Sequence, residues 1–122
     1  MPLSSYLTTG IFCLTIFSTM RIGSLNIFRR LESKAAGVDL LLSNEKLSLL
    51  ALSGVYLLKY DSPPSIEGYR CIVDGKVPCR LCLYVKDDIQ VTVLPYDGEL
   101  PAITVHTAQS TFGFVYSEFK SN

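Results

Sequence analysis

A chain of 122 residues supports one domain with a modest core, and its 48% hydrophobic and 11% aromatic content excludes a disordered chain. Eleven Lys and Arg balance eleven Asp and Glu, for a formal net charge of zero. That balance counts weakly against an independent nucleic-acid binder, which usually neutralises phosphates with a clustered basic excess.

The first 19 residues, MPLSSYLTTGIFCLTIFST, carry no charged side chain and form a segment apart (1–19). Ile11 to Phe17 make an apolar run, but the basic n-region of a secretory signal is missing and Thr8, Thr9 and Gly10 interrupt the core. The segment is too short to span a bilayer as a helix. Three readings stay open: a signal peptide, which would make the protein secreted, a buried strand, or an accidental leader.

From Met20 the pattern becomes regular. RIGSLNI (21–27) sets Ile22, Ser24 and Asn26 against Gly23, Leu25 and Ile27, the alternation of a strand. Leu31, Ala35, Val38, Leu41 and Leu42 then recur at helical spacing, with Ser43 and Asn44 as punctuation at the helix end. LSLLAL (47–52) is a short continuous apolar run, the signature of a strand covered on both faces. Strand, helix and buried strand make a βαβ unit with a right-handed crossover.

Asp61-Ser62-Pro63-Pro64 is a loop, because neither proline can donate to a ladder. Strands are predicted over 69–73, 81–85, 89–94, 102–107 and 110–116. The turn signals between them are Asp74-Gly75, Lys86-Asp87-Asp88, Pro95-Tyr96-Asp97-Gly98 and Ala108-Gln109. One βαβ start followed by mainly antiparallel strands describes an α/β (α+β) domain, half of a sandwich with the helix over one face.

Cys79-Arg80-Leu81-Cys82 has the CxxC spacing of a zinc half-site or redox pair. A zinc site needs about four ligands, and the remaining candidates are Cys71, His106 and the distant Cys13. A strand-like run follows the pair, not the helix of a thioredoxin-type motif. Two small apolar residues at a strand entrance is the better reading.

The order of the pieces resembles a known pattern. RIGSLNIFRRLESKAAGVDLLLSNEKLSLLALSGVYL resembles the opening of the exonuclease–endonuclease–phosphatase superfamily, in particular the apurinic-endonuclease-like domain of non-LTR retrotransposons. PPSIEGYR resembles that family's Pro-rich loop, LCLYVKDDIQVTVL its Leu-Tyr-Val strand and hairpin, and TFGFVYSEF its strand ending in Val-Tyr. The likeness covers 20–119, leaving 120–122 as a tail. It implies a partial four-layer αββα, DNase-like sandwich.

The resemblance implies a metal-dependent endonuclease acting on DNA, with a Glu holding Mg²⁺ and a downstream Asp and His completing the centre. Asn26 matches the family Asn that supports the metal site, and Tyr116 the Tyr that faces the phosphate. Gly54, in Ser53-Gly54-Val55, stands where the metal-holding Glu belongs. The family's Gly-Asp-x-Asn segment and terminal Ser-Asp-His are not in the sequence. No metal and no cofactor are therefore expected, and DNA binding is doubtful. Asn26 and Tyr116 are read as inherited positions without catalytic work.

Each residue also has a plain structural reading. Asn26 could take a local backbone hydrogen bond, and Tyr116 could join Phe112 and Phe114 on a core face. His106 suits an exposed sheet position. Arg29, Arg30 and Lys34 suit a solvated helix face, and Asp87-Asp88 a turn. The reading that emerges is a truncated, inactive endonuclease-like fragment from a retroelement. Its rivals are a nuclease piece completed by another chain, and a small secreted or interaction protein reusing this half-domain. With one helix to protect a sheet of five or so strands, Ile89, Val91, Val93, Ile103, Val105, Phe112 and Phe114 are expected on an uncovered face that invites self-association.

Overall fold

The computed structural model describes residues 12–17 and 19–117. In chain order these form β1 (Cys13–Phe17), β2 (Met20–Asn26), α1 (Leu31–Asn44), β3 (Leu49–Leu57), β4 (Tyr69–Val73), β5 (Cys79–Lys86), β6 (Thr92–Val93), β7 (Ala102–His106) and β8 (Thr111–Val115). The chain is mixed α/β, with one helix and two sheets among the described residues. No helix among them is long and apolar enough to cross a membrane.

The βαβ unit forms as its periodicity predicts. β2 and β3 run parallel, with Ile22 opposite Leu49 and Asn26 opposite Ser53. α1 buries Leu31, Gly37, Val38, Leu41 and Leu42. Its first turn is fastened without a side-chain cap: the Ser33 hydroxyl donates to the Arg30 carbonyl at 2.9 Å, and Lys34 Nζ donates to the Ile27 carbonyl. At the other end, the Glu45 amide donates to Leu41 and the Leu47 amide to Leu42, which turns the chain directly into β3.

The first sheet has the order β1-β2-β3-β5-β4 and the second the order β6-β7-β8. β3 therefore lies at the centre, parallel to β2 and antiparallel to β5. Two apolar layers sandwich the first sheet. On one side Leu25, Leu50, Leu52 and Tyr84 meet Val38, Leu41 and Leu42 of the helix. On the other, Ile22, Leu49, Ala51, Leu83 and Val85 meet Ile103 and Val105 of the second sheet. The alternation within β3, with 50 and 52 to the helix and 49 and 51 to the strands, follows from the two-residue repeat of a strand.

The expected bare face is not there. Ile103 and Val105 are 2% and 0% exposed, and Ile89, Val91, Phe112 and Phe114 lie partly buried beside them. The strands after 90 do not extend the first sheet; they make a second one that folds over it. Only Val93 of the named set is exposed. The physical reason lies in the turn after β5. Once Asp87 donates its amide to Gly68 and Ile89 to Lys86, the chain leaves the first sheet. The predicted hairpin between 81–85 and 89–94 is thus a crossing between layers. β5 pairs with β3 and β4, while β6 shortens to two residues and pairs with β7.

Residues 13–17 of the apolar leader form β1, which pairs antiparallel with β2 from Cys13–Ser24 to Phe17–Met20. The sheet thereby runs across the boundary placed at residue 19. This strand is not buried: Cys13, Leu14, Thr15 and Ile16 are exposed on an edge. Of the segment 1–19 read as a possible signal peptide, residues 1–11 and 18 lie outside the described residues, as does the tail at 120–122.

The two layers can be weighed separately. Leu52→Ala, on the helix side, and Ile103→Ala, between the sheets, are each expected to lower unfolding stability by about 2–5 kcal/mol. Urea unfolding measures both. A cost near zero for Ile103→Ala would mean that the second layer leaves that position in water.

Candidate functional site

β3 keeps strict register with β5 as far as Ser53 opposite Leu81, then loses it and regains it only at Leu57 opposite Cys79. Gly54 sits at the start of this irregular stretch with φ 73, a left-handed conformation in which a Cβ is strained. Beyond it, Val55 and Leu57 return to the helix-side core that Leu50 and Leu52 occupy, a change of phase that the irregularity supplies. Such breaks in a ladder re-aim side chains and often border functional sites.

The loop from β2 to α1 folds against this break. The Ile27 amide donates to Ser53 at 3.0 Å and the Arg29 amide to Gly54 at 2.7 Å. Asn26 Oδ1 accepts the Phe28 amide at 3.0 Å. Phe28, Arg29 and Arg30 all have positive φ (50, 69 and 58), an arrangement that costs roughly 1–2 kcal/mol per residue for non-glycine residues and persists only where surroundings hold it. A Cβ built on Gly54 would overlap Asn26 Oδ1 and come within 3.2 Å of the Phe28 nitrogen. The glycine is thus required by its own neighbours. The place a longer side chain would start from is filled by Asn26.

A cleft of about 280 Å³ opens here, lined by Phe28, Arg29, Gly54, Val55, Tyr56, Arg80 and Tyr116. The Arg29 guanidinium lies 4.5 Å from the centre of the Tyr56 ring, a cation–π contact. Arg80 is the second residue of β5; the Asp74 carboxylate accepts the Arg80 and Leu81 amides at 3.1 Å each, and the Lys76 amide ahead of the strand at 2.8 Å. Arg80 and Tyr116 also line an adjoining hollow with Lys76 and Glu99. Mg²⁺, the ion the resemblance implies, asks for hard oxygen ligands and usually one or two carboxylates. Among the described residues the cleft wall offers Arg29 and Arg80 and no carboxylate, and these residues do not fit that ion. Nor do the described residues hold any group of three His, Cys, Asp or Glu placed for a metal.

Of the residues singled out in the sequence, Gly54, Tyr116 and Arg29 meet in this cleft, Arg29 from the loop before α1 and not from a helix face, and Asn26 lies against Gly54. Asn26 makes the local backbone bond described above. Tyr116 serves twice, lining the cleft and leaning on the core between the sheets. His106 is remote from both. It is exposed, its Nδ1 is 2.8 Å from Thr111 Oγ1, and it borders a separate hollow of about 690 Å³ at the far end of the sheets with Lys86 and Asp88. Lys34, tied to the end of β2, has its pKa lowered by desolvation and then by Arg30. Arg80 and Tyr56 did not stand out in the sequence. Only the register of β3 against β5 brings them together.

Cys79 and Cys82 are buried in the helix-side core. Burial pushes the Cys79 thiol up to about 11, and its Sγ lies 3.2 Å from the Leu81 carbonyl oxygen. The Cys82 thiol is raised as well, first by its hydrogen bond with Cys71 and then by burial. Thiols held protonated are poor nucleophiles and poor metal ligands.

No protein-family model matches the chain, and no curated protein matches it.

Two measurements address this geometry. Gly54→Ala is expected to lower stability by about 1–3 kcal/mol, and Gly54→Glu by at least as much, because both force a side chain into left-handed backbone against Asn26. A neutral result in denaturant titration would show that the loop yields freely. The second concerns the thiols. Folded Cys79 keeps its proton to about 11 whereas an ordinary thiol loses it near 9.0. Its contribution to stability is therefore intact below pH 9.0 and lost as the pH climbs through 11. Maleimide at neutral pH should label exposed Cys13 and reach Cys79 and Cys82 only after denaturation. Rapid labelling of either buried thiol in the native protein would contradict this.

Proposed function

We propose that the chain is an endonuclease-like half-domain of retroelement origin, built as part of a DNase-like sandwich and without nuclease activity. Several features support the ancestry. The motif order from Met20 to Phe119 resembles the retrotransposon endonuclease opening. A βαβ unit whose sheet carries a helix on one face and a second sheet on the other is what a partial αββα sandwich would have. Tyr116 and the end of β3 border one cleft, as the resemblance requires of a phosphate-facing Tyr and a metal-holding position.

The observation that carries the loss of activity is Gly54. Metal-assisted hydrolysis needs an ion that neutralises charge on the phosphate and a water activated for in-line attack. Glycine supplies no carboxylate, and Asn26 fills the space a replacement would use. Loss of such a charge-stabilising centre removes several kcal/mol of transition-state stabilisation, about 3–4 for a single donor alone.

Supercoiled plasmid incubated with the purified chain and Mg²⁺ or Mn²⁺ should remain supercoiled, as in an EDTA control. Gly54→Glu should not restore cutting. Metal-dependent conversion to open circles by the unmodified chain would overturn the proposal.

A further inference from the structure

The helix covers one face of the first sheet and the second sheet covers the other, but neither layer reaches the edge strand β1. Cys13, Leu14, Thr15 and Ile16 alternate between the two faces and are nevertheless all exposed. Among the described residues the one neighbour of β1 is β2. We infer that β1 pairs with the β1 strand of a second copy of this chain, antiparallel and about a two-fold axis at Thr15, joining two five-stranded sheets into one.

An edge strand presents a row of outward N–H and C=O groups, and proteins blunt such edges with charge, proline, a bulge or a short length. The other edges of this structure show devices of that kind. β4 carries Arg70, β6 is two residues long with Pro95 just beyond it, and Gly113 weakens the middle of β8. The segment CLTIF of β1 has no charge and no proline, and it keeps register with β2 from Cys13 to Phe17 without a bulge. The strand is also held ready for a neighbour. Phe12, immediately before it, packs on the helix-side core, its ring over Gly23 in space that a Cβ would occupy.

The strand's own composition selects the occupant. Leu14 lies opposite Gly23 and Gly23 opposite Leu50, which puts Leu14 and Ile16 on the helix side, where they are 37% and 62% exposed. In an antiparallel pair centred on Thr15, Leu14 faces the partner's Ile16 and Ile16 the partner's Leu14, while the two threonines meet on the other face. No like charges are opposed, and two apolar rows that separately face water come together. A charged strand would find nothing on β1 to answer it, whereas an identical strand is complementary throughout. Because the far edge of the sheet, β4, carries Arg70, the association closes at two copies and does not grow into a fibre. So short a pairing buries well under about 800 Å² per partner, the size of a standard interface, so the dimer is expected to form at micromolar concentration and to dissociate on dilution. The pairing uses no residue of the cleft and does not rest on the nuclease ancestry.

Sedimentation equilibrium and light scattering on the full chain, from about 1 µM to about 500 µM, test this. A reversible equilibrium between 13.5 kDa and twice that mass is expected. Ile16→Glu sets a charge against the partner's Leu14 while lying opposite Arg21 of its own chain. It should raise the dimer dissociation constant about tenfold or more, as should Leu14→Glu. Tyr60→Glu, at a position 90% exposed and outside the sheet, should change nothing. Circular dichroism and urea unfolding verify the fold of each variant; should Leu14→Glu fail to fold, the more exposed Ile16 decides alone. Thr15→Cys in a Cys13→Ser background tests the register. Opposed Cα atoms of an antiparallel pair lie about 4.5–5.5 Å apart, within reach of a disulfide, so oxidised glutathione should yield a cross-linked dimer on a non-reducing gel. Ser62→Cys in the same background, in an exposed loop, should yield far less. A monomer at every concentration, open-ended aggregates, a dimer indifferent to both glutamate variants, or cross-linking no greater for Thr15→Cys than for Ser62→Cys would overturn the inference.

Discussion

With β2 on one side and β5 on the other, β3 has no edge in solvent, and the helix and the second sheet close both of its faces. Leu49, Leu50 and Leu52 are wholly buried in consequence. A backbone so enclosed must satisfy its amides and carbonyls through its neighbours. It therefore determines where β2 and β5 lie, and through them α1, β1 and β4. The rest of the structure is arranged around that one strand. Where its ladder breaks, between Ser53 and Leu57, the enclosure opens, and the cleft is found there.

The break also explains the chemistry of the cleft. A left-handed Gly54 bends the strand away and presents its carbonyl to the Arg29 amide, which draws the β2–α1 loop against the opening. The register of β5 delivers Arg80 to the other wall. Arg29 and Arg80 thus line one cavity by backbone geometry, while Asn26 and Asp74 are turned onto backbone amides.

The elements were largely legible in the residues, because hydrophobic periodicity depends on local geometry. The spacing of Leu31, Val38, Leu41 and Leu42 gives α1, and the continuous run from Leu47 to Leu52 gives a strand buried on both faces. The site was legible only in part. Gly54 marked the right place, but as a missing carboxylate, whereas the structure makes it a conformational requirement. Arg80 lay hidden inside a CxxC pattern whose cysteines are core residues, and Tyr56 lay beyond the strand read over 47–52, which the structure extends to Leu57.

By itself the sequence determined the helix and most of the strands, leaving 13–17 open and overextending 89–94, since alternation and helical spacing are properties of a few neighbouring residues. Tertiary structure decided which strands pair. Ile89 to Phe114 show the same alternation whether they extend one sheet or begin another, because a two-residue repeat states that one face is buried and not what covers it. The turn after β5 sent those strands over the first sheet, which buried Ile103 and Val105 and left no bare face at those positions. The meeting of Arg29 and Arg80 has the same origin. Residues 51 positions apart become neighbours only through the register of β3 and β5, a long-range pairing that no local pattern encodes.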